Sequence, residues 1–280
     1  MKIKTPSRKS AKRRVIVFLA LAAILVLLSI AAPMLAPNDP DQTNSDFMKV
    51  APCEQFPLGT DKLGRCVLSR VLMGARTSIF SSLTLVAVSF IFGTAVGMLC
   101  GYYGGALDEI VMRIADILLA FPQMVLAIAV AGILGGSLLN AMIAMGITGW
   151  TLYARLARGA VMSMREEPFI AAARLSGCSG TRILLRHILP NIMGSLLVNA
   201  TTQIGTMMIG IAGLSFLGIG VTPPQAEWGS MINEARAYMQ LAPWTVMAPG
   251  AAMVITVMVF NYLGDSVRDL MDVSKQQYGK

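Results

Sequence analysis

Five stretches of this chain carry no Asp, Glu, Lys or Arg: 15–38, 77–107, 117–154, 188–226 and 237–264. A helix needs about 20 apolar residues to cross a bilayer, so each stretch can hold at least one crossing. Within lipid every backbone N–H and C=O must be paired, which leaves only helices and closed barrels. The alternating strands of a barrel, about ten residues each, are absent. Gly135 and Gly136 interrupt the third stretch and divide it. The expected fold is an all-α integral membrane protein with six transmembrane helices, near 15–36, 79–101, 111–134, 138–154, 188–211 and 244–264.

Charged residues make up 14% of the 280 residues, against about 25% in a soluble domain, and the basic ones are sorted. Residues 1–14 hold Lys2, Lys4, Arg8, Arg14 and further basic residues, with no acid. The segment 155–187 holds Arg155, Arg158, Arg165, Arg174, Arg182 and Arg186, and the tail holds Arg268, Lys275 and Lys280. Six alternating spans put these, with Arg113, on one side, which the positive-inside rule makes cytoplasmic. Both termini are then cytoplasmic. The net charge of +8 follows from this topology and from anionic lipid, not from nucleic acid. The first apolar stretch exceeds the core of about 7–15 residues in a cleaved signal peptide, so it reads as an uncleaved anchor. The organisation is a basic N-terminus 1–14, an anchor 15–36, an external loop 37–77, a membrane core 78–270 with a cytoplasmic loop 165–187, and a tail 271–280.

Several local features carry expectations. Leu63, Val67, Leu68, Val71 and Leu72 have the spacing of an amphipathic helix lying on the membrane surface. Pro122 should kink the third span by removing a backbone hydrogen bond. Asp116 lies one helical turn from Arg113, a pairing that reads as structural. Gly93, Gly97, Gly101 and Gly105 recur every fourth residue, a strip that permits close helix contact in lipid. The fifth span is the most polar, with Asn199, Thr201, Thr202, Gln203 and Thr206 followed by Met207 and Met208. These side chains either line a pathway or serve hydrogen bonds between helices. Cys53 and Cys66 share the first external loop and either form a disulfide in an oxidising compartment or remain free thiols.

The cytoplasmic loop reads REEPFIAAARLSGCSGTRILLRHILP over 165–190. Glu166, Glu167 and Pro168 suit the start of a helix, and Gly177 suits its end. A second short helix from about 180 to 187 should lead into the fifth span. Ala171, Ala172, Ala173 and Gly177 make a low-relief surface that another backbone can approach.

Ala172, Ala173, Gly177, Leu189 and Pro190 fall in the register of the coupling loop of ABC-importer permeases. The family usually has Glu where this chain has Ala171, and Ile where it has His187. RHILPN (186–191) resembles one subfamily in particular, the dipeptide, oligopeptide and nickel importers. So do PLGTDKLGRCVLSR (57–70), with Cys66 where Asp is common, GLSFLGIGV (213–221), EWG (227–229) and FNYLGDSVRD (260–269).

This resemblance to binding-protein-dependent permeases implies the type I ABC-importer permease fold. It also implies a second, homologous permease subunit, two ATP-binding subunits, an extracytoplasmic solute-binding protein, and residence in a bacterial cytoplasmic membrane. The loop residues Ala172, Ala173, Arg174, Gly177, His187, Leu189 and Pro190 would meet an ATPase. Asn199, Thr202, Gln203, Thr206 and Met207 are the pathway candidates, and Gly93, Gly97 and Gly101 the packing residues. The chain has no G-x-x-x-x-G-K-[ST] motif, so the energy source must lie on a partner. With one His, no H-E-x-x-H and no G-x-S-x-G, no catalytic centre, metal site or cofactor is expected. The loop sequences lean slightly toward nickel or metal-chelate permeases over peptide permeases. A carrier driven by an ion gradient is the competing class, and it would need ionisable residues within the spans.

Overall fold

The computed structural model describes the backbone of residues 8–278 and the side chains of 9–271. Lys2, Lys4 and Lys280 lie outside the described residues, as do the side chains of Arg8 and Lys275. Ten α-helices are described: α1 (Arg8–Leu35), α2 (Val67–Tyr103), α3 (Gly105–Ala120), α4 (Gln123–Leu134), α5 (Leu138–Arg165), α6 (Pro168–Leu175), α7 (Gly180–Arg182), α8 (Leu189–Phe216), α9 (Trp228–Ala235) and α10 (Trp244–Tyr278). A π-helical turn, Ile183–Ile188, joins α7 to α8.

Four helical stretches are long and apolar enough to cross a membrane, and a fifth crossing exists if α3 and α4 count as one bent span. By length and composition alone, four or five of the six expected crossings are met. The stretch that drops out is α5, which has the length but carries Asn140, Thr148, Thr151, Arg155 and Arg158. The backbone of Trp150, Ala154 and Arg158 lies against α2, the most extensive partner of α5, whereas Arg155 is exposed and pairs with Asp116 of α3.

Pro122 does more than kink. The axes of α3 and α4 meet at 91°. Phe121, before the proline, is extended (φ −96°, ψ 139°), and Pro122 is the N-cap of α4. A proline crowds the preceding residue out of the helical region and offers no N–H, so the helix ends and restarts.

The segment 63–72 is no separate surface helix, because Val67 onward is the first turn of α2. Val67, Ser69 and Arg70 are buried and packed near α9. Of the five periodic residues, Val67 is buried, Leu68, Val71 and Leu72 are half-buried, and Leu63, which precedes the helix, is exposed.

The N-terminal part of α1 and the C-terminal part of α10 lie side by side. Arg14 pairs with Asp269 (3.2 Å), and the rings of Phe18 and Tyr262 stack at 5.3 Å. Gly194, near the start of α8, meets Met271 of α10. The basic loop is therefore at the same end of the molecule as both ends of the described chain. The loops 36–66 and 217–243 occupy the other end. Between them, Leu85, Met145, Met207, Ile211 and Phe260 fill the central core.

Candidate functional site

The basic loop is built from two helices and a glycine turn. Pro168 opens α6 and Glu167 precedes it as N-cap. Gly177 closes the turn with φ +75°, in the left-handed region that costs other residues about 1–2 kcal/mol. Its N–H donates to the Arg174 carbonyl (3.0 Å) and the Cys178 N–H to the Ala173 carbonyl (3.1 Å), which satisfies the end of the helix.

One face of α6 is an anchor. Ile170 and Ala173 are buried with Met98, Val161, Ile183 and Ile188, which ties the loop to α2, α5 and the entry to α8. The opposite face is open: Ala171, Ala172, Arg174, Ser176 and Gly177 are exposed, and Leu175 is 91% exposed. The Arg174 guanidinium lies 5.4 Å from the centre of the Tyr102 ring. Arg182 and Arg186 are exposed beside this face, whereas His187 and Leu189 are half-buried. Pro190, exposed, is in the first turn of α8. Without an N–H it cannot pair with the carbonyl four residues back, and the Leu189 N–H reaches instead to the Leu184 carbonyl, a π-type bond.

From α6 the contacts lead upward through α5. Gly93, Gly97 and Gly101 face its backbone: a β-carbon would lie 2.3 Å from the Trp150 carbonyl oxygen, 2.2 Å from that of Ala154 and 2.8 Å from that of Arg158. Gly105 leaves this strip, with open space around it at the start of α3. Next to the strip, Arg158 grips Asp108 with two hydrogen bonds, one of them 2.6 Å. Asp116 pairs with Arg155, not with Arg113 as the one-turn spacing suggested. The cause is that α3 crosses α5, so its acids meet arginines of another helix before their own.

The polar residues of α8 divide by face. Thr201 and Thr202 donate to carbonyls of their own helix (2.8 and 3.0 Å) and pack against Gly264 of α10. Asn199, Gln203 and Thr206, spaced for one helix face, are half-buried or exposed. Met207 is 0% exposed in this subunit, inside the core against Gly149. Its depth comes from α5, whose missing side chain at Gly149 makes room for it.

At the other end, the motifs around 57–70 and 227–229 form a clasp. Arg65 binds Asp61 (2.6 Å) and Glu234 (2.9 Å), and Arg70 reaches Asp41 (3.1 Å) and Glu234 (3.5 Å). Both arginines are 2% exposed. Burial alone would lower the Arg65 pKa, but the Asp61 and Glu234 carboxylates reverse this and hold it above its ordinary value. Glu227 caps α9, accepting from the Gly229 and Ser230 N–H groups (2.9 and 2.8 Å) and from Ser78 (3.1 Å). The buried Trp228 indole donates to the Val71 carbonyl (3.0 Å). Cys53 is exposed and Cys66 is buried, and both are free thiols, so the disulfide alternative is set aside. Cys66 points into the protein at the N-cap of α2, away from the surface that holds Cys53. Among the described residues no three His, Cys, Asp or Glu converge as a metal site.

Residues 93–275 match the family described as Binding-protein-dependent transport system inner membrane component. Residues 10–52 match the N-terminal TM domain of oligopeptide transport permease C. The Dipeptide transport system permease protein DppC of Alkalihalophilus pseudofirmus is 42% identical, over 92% of this chain and 84% of that protein. The Nickel transport system permease protein NikC of Escherichia coli is 40% identical over 91% and 92%. The Glutathione transport system permease protein GsiD of Pectobacterium atrosepticum is 41% identical over 96% and 92%. The fold resembles a chain of the MetNI methionine ABC transporter, solved in inward-facing conformations, with a TM-score of 0.58 and 19% identity over 72% of this chain and 95% of that one. The chain belongs to the binding-protein-dependent transport system inner membrane component family, and is a multi-pass permease subunit of the ABC-importer class in the cytoplasmic membrane.

Proposed function

We propose that this chain forms half of a translocation pathway for a small solute, beside a second, homologous permease. Two ATP-binding subunits dock below, and an external solute-binding protein delivers the cargo. The basic end faces the cytoplasm. The observation that carries the reading is the two-faced α6, with Ala172, Leu175 and Gly177 open to a partner and Ile170 and Ala173 locked into the spans. A partner that pushes on the open face moves α5 and α8 with it, since interior packing transmits strain. Rocking of the spans around a central path is a common form of alternating access.

Relatives named for dipeptide, nickel and glutathione are 42%, 40% and 41% identical. The slight leaning toward nickel therefore has no support over a dipeptide, and the cargo class is taken as all three. Asp108 and Asp116, two of the three acids of α3, are held by arginines, which speaks against their serving as a relay for an ion gradient.

The test is reconstitution in vesicles with the partner permease, the ATP-binding subunits and the binding protein. Uptake should require ATP. Gly177→Val should abolish uptake while the binding protein still captures cargo. Uphill uptake by this chain alone on a proton or sodium gradient would overturn the reading.

A further inference from the structure

We propose that the furrow between α2 and α5 at the loop end is an entry site for a small zwitterionic solute, with Arg76 taking its carboxylate. This rests on the permease reading above and assigns it a binding residue.

A cavity of about 550 Å³ opens there, and its lining includes Asp41, Arg76, Thr77, Ser81, Thr84 and Gln225. That volume is in the range of about 300–1,000 Å³ typical of small-molecule sites. A second cavity of about 390 Å³, lined by apolar residues such as Val88, Phe92 and Leu139, adjoins it. The two share Thr84 and Met142, so they form one furrow, polar at its loop end and apolar toward the middle of α2 and α5.

Arg76 is the cation this furrow leaves free. At the same end, Arg65 and Arg70 are held by carboxylates and Arg236 lies over the Phe216 ring. Arg76 is exposed and has no hydrogen bond or ion pair among the described residues. It stands on α2 immediately before the charge-free stretch 77–107. Thr77, Ser81 and Thr84 follow it on one face of the helix, a ladder of hydroxyls into the furrow.

The opposite charge is also present. Asp41 gives one oxygen to Arg70 (3.1 Å) and its side chain is still 51% exposed. A guanidinium offers a fork for a carboxylate, and the second Asp41 oxygen is available to an ammonium. A peptide with both termini free supplies that pair of charges, and its side chain suits the apolar part of the furrow. A bare divalent cation would be repelled by Arg76. A lipid phosphate would also satisfy Arg76, with its chains along the apolar part of the furrow, but its charge would oppose Asp41.

The test uses the complete reconstituted importer and a defined mixture of unmodified dipeptides, with uptake read by mass spectrometry. Arg76→Gln should lower uptake about tenfold or more, the loss expected for a charge-assisted contact, and Arg76→Lys should recover part of it. Direct titration of the assembled importer, without binding protein, should show dipeptide binding that the same peptides as C-terminal amides lack. Equal uptake by wild type and Arg76→Gln overturns the inference. So does dependence of the Arg76 effect on phosphatidylglycerol in the vesicles, which assigns the site to lipid. An importer that hydrolyses ATP with its partners but neither binds nor transports dipeptides removes the zwitterion assignment alone. Failure to assemble with any ATP-binding subunit would instead remove the reading beneath it.

Discussion

Gly97 of α2 rests on the backbone of Ala154 in α5, so closely that an added β-carbon would lie 2.2 Å from the Ala154 carbonyl oxygen. No side-chain movement can relieve that contact, because both partners are helix backbone. Gly97→Val should destabilise the protein by about 1–3 kcal/mol or more, read as a lower midpoint in thermal unfolding in detergent. Gly159 of α5 has nothing within 4 Å of the same position. Gly159→Ala should therefore be tolerated, or gain up to about 1 kcal/mol from helix propensity. Equal loss in both variants would refute the close contact.

Glu234 holds two arginines that are each 2% exposed. Glu234→Ala leaves that charge partly uncompensated and should cost about 3 kcal/mol. Its signature should be local: proteolytic cleavage within 37–66 and 217–243 should rise well before the spans unfold. Protection of both loops at wild-type level would show that the clasp does not hold them.

Cys66 occupies the N-cap of α2 without making a side-chain cap. Cys66→Asp should supply it and stabilise the helix start by about 1 kcal/mol, with Arg65 next to it to balance the charge. In the unaltered protein, a maleimide should label exposed Cys53 quickly and buried Cys66 only after unfolding. Non-reducing mass mapping should find no link between them.

Tyr238 lies in the clasp region, where burial first, then the Asp61 charge and, lower in rank, that of Glu234, raise its phenol pKa to about 12. An unfolded tyrosine titrates near about 10. Below that value both states keep the proton and the stabilising contribution is complete. As the pH rises from about 10 to about 12, the unfolded chain loses its proton first and stability falls. Tyr238→Phe should flatten this decline in a series of unfolding curves across that range. An unchanged slope would place the phenol in water.

Much of the basic loop was legible because its signals are local. Pro168 can start a helix and Gly177 can end one whatever lies around them, and the structure has α6 between them. The Gly93, Gly97 and Gly101 spacing was legible for a similar reason, since residues four apart share a helix face. What faced the strip was not: nothing in the order of residues points to the carbonyls of Trp150, Ala154 and Arg158.

The misread features have one cause. Leu63 to Leu72 had helical periodicity, but a pattern does not say whether lipid or protein covers it or where the helix starts: Leu63 precedes α2, and α9 lies against Val67 and Val71. Asp116 had Arg113 one turn away, yet Arg155 is its partner because α3 turns across α5 at the break near Pro122. Met207 was grouped with polar neighbours by sequence, and a glycine on another helix drew it inward.

By itself the sequence determined that the chain is helical and membrane-bound, where its helices break, and which end carries the basic residues, because these depend on charge, hydropathy and turn chemistry along the chain. Only the tertiary structure decided which arginine meets which acid, which thiol is buried, and where a free cation opens onto a cavity. Those outcomes depend on residues far apart in the chain, 169 positions in the case of Arg65 and Glu234, and their meeting is set by how helices cross.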